Sequence, residues 1–348
     1  MTTNFLKKAF DPLGLTVDDD AGQIFVTSGT GVVGFRVAMG LLDAGYKHVR
    51  VGIWKGKRQI GVDNSIGQKV LDVLEEKGAT VIAYDWTNEE DYQMALAGVN
   101  TVFCTIPHMH ASLDIFTKFL AACKKLGVEH FVKTSFYEMP GDPYSKTVPF
   151  VQFQRQCDEL ITKNTLTTRM TYTVLGASHQ MSSPLIHQGP VFRDEDETAN
   201  RYVTASYAMG VNYISPNDIA KAAIVTIVNR KKHRNKTYNL SGPGPITDKE
   251  VCKHLSKFYD KKIRHVPVGY NDIVEDLQKR GFEKWLGKDL AEFEKVKASG
   301  VEEYSSAYPK DFELLAGRKP ETFDVYLANK GSMTLQENPD SAPTHVEL

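Results

Sequence analysis

Much that would mark a special class of protein is missing from this chain. Its net charge is -1. Without a basic surplus there is nothing to neutralise a phosphate backbone, so a nucleic-acid partner is not expected. No run of about 20 apolar residues occurs, which argues against a membrane-spanning helix and a membrane partner. The N-terminal stretch MTTNFLKKAFDPLGL lacks a long apolar core and a small-residue cleavage site, and does not read as a signal peptide. Cysteine is scarce: Cys104, Cys123, Cys157 and Cys252 are dispersed and none forms a CxxC pair. Buried free thiols in a reducing, cytoplasmic setting are the expectation. His345-Val346-Glu347-Leu348 differs by one residue from a retention tag, which means little without a signal peptide. His108 and His110 have no third ligand nearby, so no metal is expected. What remains is ordinary: 41% hydrophobic and 24% charged residues over 348 positions, enough for one large domain or two smaller ones.

The stretch around which the chain is organised starts at Gln23. Ile24 to Thr27 reads as a short strand, Gly29-Thr30-Gly31-Val32-Val33-Gly34 follows, and Val37, Ala38, Leu41 and Leu42 continue with helical periodicity. A G-x-G-x-x-G between a strand and a helix is the dinucleotide-binding fingerprint. Gly29 would permit a tight turn, Gly31 close approach of a pyrophosphate, and Gly34 close packing of helix on strand. The first-turn amides and the helix dipole would face the phosphates.

Strand and helix patterns then alternate. Strands are expected at Val49 to Trp54, Val81 to Tyr84, Thr101 to Ile106, Phe131 to Thr134 and Tyr172 to Leu175. Helices are expected at Gln68 to Lys77, Glu89 to Ala97, Ser112 to Leu126 and Val148 to Thr162. That alternation predicts an α/β fold, a Rossmann-type doubly wound parallel sheet. Its ligands would sit beyond the C-terminal ends of the strands. From His179 to Tyr207 the sequence turns polar. Tyr213-Ile214-Ser215-Pro216-Asn217-Asp218-Ile219-Ala220 opens a helix through Val228, with Ser215 or Asn217 as its cap. Tyr238 to Leu240 reads as a strand, and Thr247 begins a helix with a capping box. Residues 270–330 look helical and charged. The domain reading is an arm at 1–21, a nucleotide domain at 22–178 to which 213–242 return, substrate-domain elements at 179–330, and a flexible tail at 331–348.

The cofactor is read at the end of the second strand. An NAD enzyme carries an Asp or Glu there for the ribose 2′-hydroxyl. This chain has Trp54-Lys55-Gly56-Lys57-Arg58, without a carboxylate and with three cations, which would pair with a 2′-phosphate. NADP(H) is the expectation. Asp85 would take the adenine amino group, or merely start a turn, and Trp86 would cover the ring.

Several blocks together resemble the NmrA-like family, an atypical group of the short-chain dehydrogenase/reductase superfamily. They are the glycine motif, Gly98-Val99-Asn100-Thr101-Val102-Phe103, Val132-Lys133-Thr134-Ser135, Tyr172-Thr173-Val174-Leu175 and the pair Tyr213 to Ala220 with Tyr238 to Pro243. Leu315 to Phe323, with Gly317-Arg318-Lys319-Pro320 inside it, is another. The resemblance spans roughly residues 22 to 330. It implies a Rossmann domain with a smaller, mostly helical C-terminal substrate domain and a cleft between them. Members include NADPH-dependent reductases of quinones and metabolites, and redox-sensing regulators that catalyse little.

The superfamily's general acid is a Tyr with a Lys four residues on, which share a helix face. Here Tyr137 is followed at that spacing by Gly141 and Tyr144 by Val148. Tyr326 with Lys330 is the single match, near the tail. Arg155 falls where many relatives carry a lysine early in a long helix, and could polarise a carbonyl. Tyr137, His108 and Arg155 are the catalytic candidates. By position after their strands, Thr105, Ile106, Pro107 and Ser135 would contact cofactor. Phe136, Tyr137, His179 and Met181 would contact substrate, with Gln180 between the last two. The expected function is an NADPH-dependent oxidoreductase passing hydride to a small carbonyl, quinone or enone. The alternative is a non-catalytic NADP(H)-sensing regulator that binds a protein partner.

Overall fold

The computed structural model describes residues 22–55, 64–106, 113–139, 141–166, 168–186, 201–204, 210–279, 282–302 and 310–329. The expected arm and tail, together with Lys57, Arg58, Pro107 and His108, lie outside them. The chain runs β1 (Ile24–Val26), α1 (Val32–Asp43), β2 (Val49–Trp54), α2 (Asn64–Glu76), β3 (Thr80–Tyr84), α3 (Glu89–Leu96), β4 (Thr101–Cys104), α4 (Leu113–Lys125) and β5 (His130–Phe136). It continues through α5 (Pro143–Thr147), α6 (Pro149–Thr165), β6 (Thr171–Ala177), β7 (His179–Gln180), α7 (Ser183–Ile186), β8 (Arg201–Thr204) and β9 (Val211–Ile214). Then come α8 (Pro216–Val228), α9 (Arg230–His233), β10 (Lys236–Leu240), β11 (Pro245–Ile246), α10 (Asp248–Tyr259) and β12 (Arg264–Pro267). The chain closes with α11 (Tyr270–Lys279), α12 (Lys284–Ala298), α13 (Asp311–Ala316) and α14 (Phe323–Ala328).

Seven strands form the main sheet in the order β10-β6-β5-β4-β1-β2-β3, every neighbouring pair parallel. Parallel strands buried on both faces read as continuous apolar runs. Accordingly Ile24, Phe25 and Val26, and all of β4, are buried. One face carries Val37 and Leu41 of α1 packed with Ile224 and Ile227 of α8. The other carries Phe25, Tyr84, Phe116, Phe119 and Phe131, each worth about 1.5–3 kcal/mol of buried apolar surface. The strand order reverses between β1 and β4, the place where such sheets open a ligand crevice.

Two local readings change. Val211–Ile214 is a buried strand paired with β7 and β11. The helix therefore starts later, where the Ser215 side chain accepts the Asn217 N–H and Pro216 takes an early helical position. β5 also outruns its expected end, because its pairing with β6 continues to Phe136 opposite Ala177. The capping box is present, with Thr247 and Glu250 bonded reciprocally. All four cysteines are buried and free.

His130 is buried at the start of β5, its Nδ1 2.8 Å from Thr171 Oγ1 and its Nε2 3.2 Å from Thr173 Oγ1. Burial first, then the nearby Arg230 and His233 charges, push its pKa down from 6.5 to about 3. The native state therefore holds this ring neutral while the unfolded chain protonates it. The contribution is complete above the unfolded value and is lost as pH falls from 6.5 toward 3. His130→Asn is expected to flatten that acid limb in urea titrations run at stepped pH. A limb unchanged in slope would contradict this.

Candidate active site

A cavity of about 320 Å³ lies beyond the C-terminal ends of the central strands. One end is formed by Gly31, Val32, Val33 and Gly34, the middle by Thr105, Ile106, Ser135 and Phe136, and the far end by Ser178, His179 and Gln180. Ile273 and Leu277 of α11, with Leu290, Phe293 and Glu294 of α12, close it from above.

The glycine turn owes its composition to space. None of Gly29, Gly31 and Gly34 has a positive φ, so the turn does not need Gly29 for backbone freedom as expected. A Cβ on Gly29 would strike the Val51 side chain, and one on Gly34 the carbonyl of Ser28. The turn is pinned by Gly29 N–H to Gly52 O at 2.9 Å and Ser28 Oγ to Thr105 O at 3.0 Å. It is further held by Thr105 N–H to Thr27 Oγ1 at 3.2 Å. Gly31 sits at the N-cap of α1 with no side chain to cap it. The first backbone bond of the helix is Phe35 N–H to Gly31 O. The amides ahead of it are left for a ligand, with the helix dipole behind them. Val32, Val33 and Gly34 line the cavity there, whereas Thr30 stands outside its lining.

The expected 2′-phosphate site is described only in part. Trp54 ends β2 opposite Tyr84. Lys55, about half exposed, pairs with Asp91 at 2.9 Å. Asp85 accepts from the Thr87 N–H and hydroxyl, so it starts a turn. The Trp86 ring, expected over the adenine, is packed in the core. The residue is 2% exposed, with its ring 4.6 Å from Phe119 and 5.6 Å from Tyr84. Residues two apart on an extended chain share a face, and Tyr84 already faces the core.

Arg155 is a brace and does not reach the cavity. It grips Asp142 through Nε at 2.8 Å and Nη2 at 3.2 Å, and donates to the carbonyls of Phe136 and Tyr137. Asp142 is held in the left-handed region, φ 36°. Burial would raise its pKa, but the Arg155 and Ser145 hydrogen bonds bring it below the usual range. Tyr137 is likewise off the cavity wall. It is buried against Phe136 and Tyr144, because it alternates with the cavity-facing Phe136. Met181 packs in the core with Tyr213 and Val251 and is not among the residues lining this cavity. Phe136 and His179 do line it.

Three polar clusters that the sequence does not announce surround this space. Lys133, fully buried on β5, donates to Asp158 at 2.9 Å and to Gln154, while Ser135 donates to the other Asp158 oxygen at 2.5 Å. A lysine thus meets α6 from the strand beneath it. At the far end, Tyr144 donates to Glu302 Oε1 at 2.6 Å, and His179 Nε2 lies 2.5 Å from the same oxygen. The Asn212 N–H holds the other Glu302 oxygen at 2.9 Å. Burial works against the Glu302 charge, but His179 and these hydrogen bonds outweigh it and keep its pKa below the ordinary value. Behind the ceiling, buried Lys297 bonds Asp248 at 2.9 Å, lies 3.5 Å from Glu294 and hydrogen-bonds Tyr213. No sequence spacing marks the contacts that join these sets across different elements, between partners 21 to 158 residues apart. Among the described residues no group of three His, Cys, Asp or Glu could hold a metal, and no helix is long and apolar enough to cross a membrane.

The model of the NmrA-like family matches residues 20–327. Prestalk A differentiation protein A of Dictyostelium discoideum is 24% identical over 313 residues, covering 90% of this chain and 93% of that protein. The NAD(P)H azoreductase of Xenophilus azovorans is 23% identical over 251 residues, covering 72% and 82%. The crystal structure of the Citrobacter sp. triphenylmethane reductase complexed with NADP(H) has a TM-score of 0.66 at 20% identity. That match covers 88% of this chain and 99% of the solved one. At such identity the likeness is one of fold.

Proposed function

The chain belongs to the NmrA-like family, and from that premise we propose an NADPH-dependent oxidoreductase acting on a small carbonyl, quinone or enone. One observation carries the reading. A single cavity runs from uncapped helix amides, where phosphates bind, to an apolar aromatic end lined by Phe136, Val148 and Phe293.

The residues present fit a dinucleotide. Side chains are absent at Gly29 and Gly34, where a Cβ would collide, and the amides at Val32, Val33 and Gly34 would hold the pyrophosphate. Thr105, Ile106 and Ser135 would flank its path, and Lys57 and Arg58 would take the 2′-phosphate. Bound there, the reduced nicotinamide supplies a hydride. The protein's own part is to orient the acceptor between Phe136 and Phe293 and to exclude water with α11 and α12. The azoreductase named for NAD(P)H and the dye reductase solved with NADP(H) support this reading.

In this reading 22–178, with 213–242 returning to the sheet through α8 and β10, form the nucleotide unit, and elements within 179–330 cover the substrate. Purified protein given NADPH and a panel of quinones, enones and carbonyls should oxidise the cofactor above blank. No turnover on any member, with cofactor binding intact, would instead favour the regulatory alternative. The double variant K57E/R58E is expected to weaken NADPH about hundredfold or more, since each of the two removed charge-assisted phosphate bonds is worth about 1.5–3 kcal/mol. NADH affinity should change little. Equal loss for both cofactors would place the 2′-phosphate elsewhere.

A further inference from the structure

We propose that His179 is the proton donor of this site, positioned by Glu302 and Tyr144; the inference rests on the oxidoreductase reading above. Reduction of a quinone, enone or carbonyl needs a hydride and a proton, and neither Tyr137 nor Arg155 reaches the cavity. His179 does reach it. Its ring forms part of the far wall, with Phe136 5.6 Å and Phe293 4.8 Å away between ring centroids.

The hydrogen bonds fix how the ring is used. Tyr144 has one hydroxyl proton and gives it to Glu302. Burial and the Glu302 charge hold that hydroxyl's pKa well above its usual range, so Tyr144 is a donor to the carboxylate and not an acid in turnover. The 2.5 Å bond between His179 and Glu302 then requires the proton on Nε2. This leaves Nδ1, which has no hydrogen-bond partner among the described residues. A buried carboxylate is costly without a positive partner in contact, and a protonated His179 supplies one. A carboxylate behind an imidazole, fixing its tautomer and stabilising its cation, is the arrangement that acid–base histidines require.

Besides Asp276, a carboxylate on α11, three other ionisable groups on the wall are held by named partners. Glu294 faces Lys297, the Tyr213 hydroxyl meets the same lysine, and Asp289 accepts the Phe150 N–H.

The step balances as follows. Hydride adds to the acceptor, the π electrons of its C=O move onto oxygen, and the His179 Nδ1–H bond breaks as the O–H bond forms. The acceptor is reduced by two electrons, the nicotinamide dinucleotide is oxidised by two, and neutral His179 regains a proton from water.

Two acceptors separate this role from a structural one. Menadione needs hydride and a proton, whereas the cationic dye crystal violet needs hydride alone. His179→Asn should lower kcat for menadione about hundredfold, with the KM for NADPH little changed. It should also drop the menadione-to-dye ratio more than tenfold. Imidazole added to His179→Gly should restore menadione turnover, and this arm decides alone if the dye is too large to be turned over. Unchanged menadione kcat, equal loss on both acceptors, or failure of imidazole to restore turnover would overturn the assignment. A readout without cofactor or turnover comes from ¹⁵N NMR of the imidazole. Both nitrogens should carry protons in the unliganded protein, and Glu302→Gln should move the signal toward the neutral ring. A neutral ring in the parent would refute the donor role, and no response to Glu302→Gln would refute the pairing. If the parent protein turns over no acceptor, the oxidoreductase reading fails, while the NMR result still stands or falls by itself.

Discussion

Lys297→Met is expected to destabilise the protein by about 3–5 kcal/mol, the cost of leaving a buried ionic partner uncompensated. Lys297 is buried with Asp248 and Glu294, and removing its charge takes the lysine cation from two buried carboxylates, with His265 still 3.7 Å from Asp248. The attraction currently prevails over burial, for although burial lowers the Lys297 pKa, Glu294, Tyr213 and Asp248 together hold it well above the ordinary value. The urea midpoint should fall by roughly 1–2 M, taking a slope of about 2–3 kcal/mol per M. Adding Asp248→Asn should recover part of the loss, because one of the stranded charges is then gone. A single variant as stable as the parent would show that solvent reaches the cluster. Glu294 and Tyr213 also line the cavity, so the same change is expected to loosen its ceiling and raise KM for the acceptor.

Gly34→Val is expected to abolish measurable NADPH binding, a loss of at least hundredfold, alongside a destabilisation of about 1–3 kcal/mol from overpacking. The new Cβ would meet the Ser28 carbonyl, a backbone atom that cannot rotate aside. The helix must therefore retreat from the strand, taking the amides of Val32 and Val33 with it. Circular dichroism separates the two effects. A folded variant that still binds NADPH with parental affinity would contradict the placement of the phosphates at this turn.

What was legible in the sequence was local. The strand, glycine turn and helix at 24–43, the alternation that follows, and the Thr247 capping box each depend on neighbours a few residues apart, and all are present. The floor of the cavity follows from the same order, because parallel strands bring Thr105, Ser135 and His179 to one edge. A position after a strand does not by itself give a side chain its direction. Trp86 shares the core face of Tyr84, two residues before it, and the alternation rule alone would have placed it there. Tyr137 points away because Phe136 points in. Arg155 looked like a substitute for a missing lysine, yet the polar demands of the loop before α5 consume its donors. Glu302 could not have been found at all. It meets Tyr144 from 158 residues away and His179 from 123, and only the packing of α12 and the turn after it brings them together.

The central claim is that this cavity holds a dinucleotide by its phosphates, including the extra one on the adenosine ribose. Titration of the parent protein into NADPH, followed by the cofactor's fluorescence, tests it directly, with NADH titrated in parallel. Saturable binding of NADPH, at least about tenfold tighter than NADH, is the predicted result. No saturable change with either cofactor, or equal affinity for both, would contradict it.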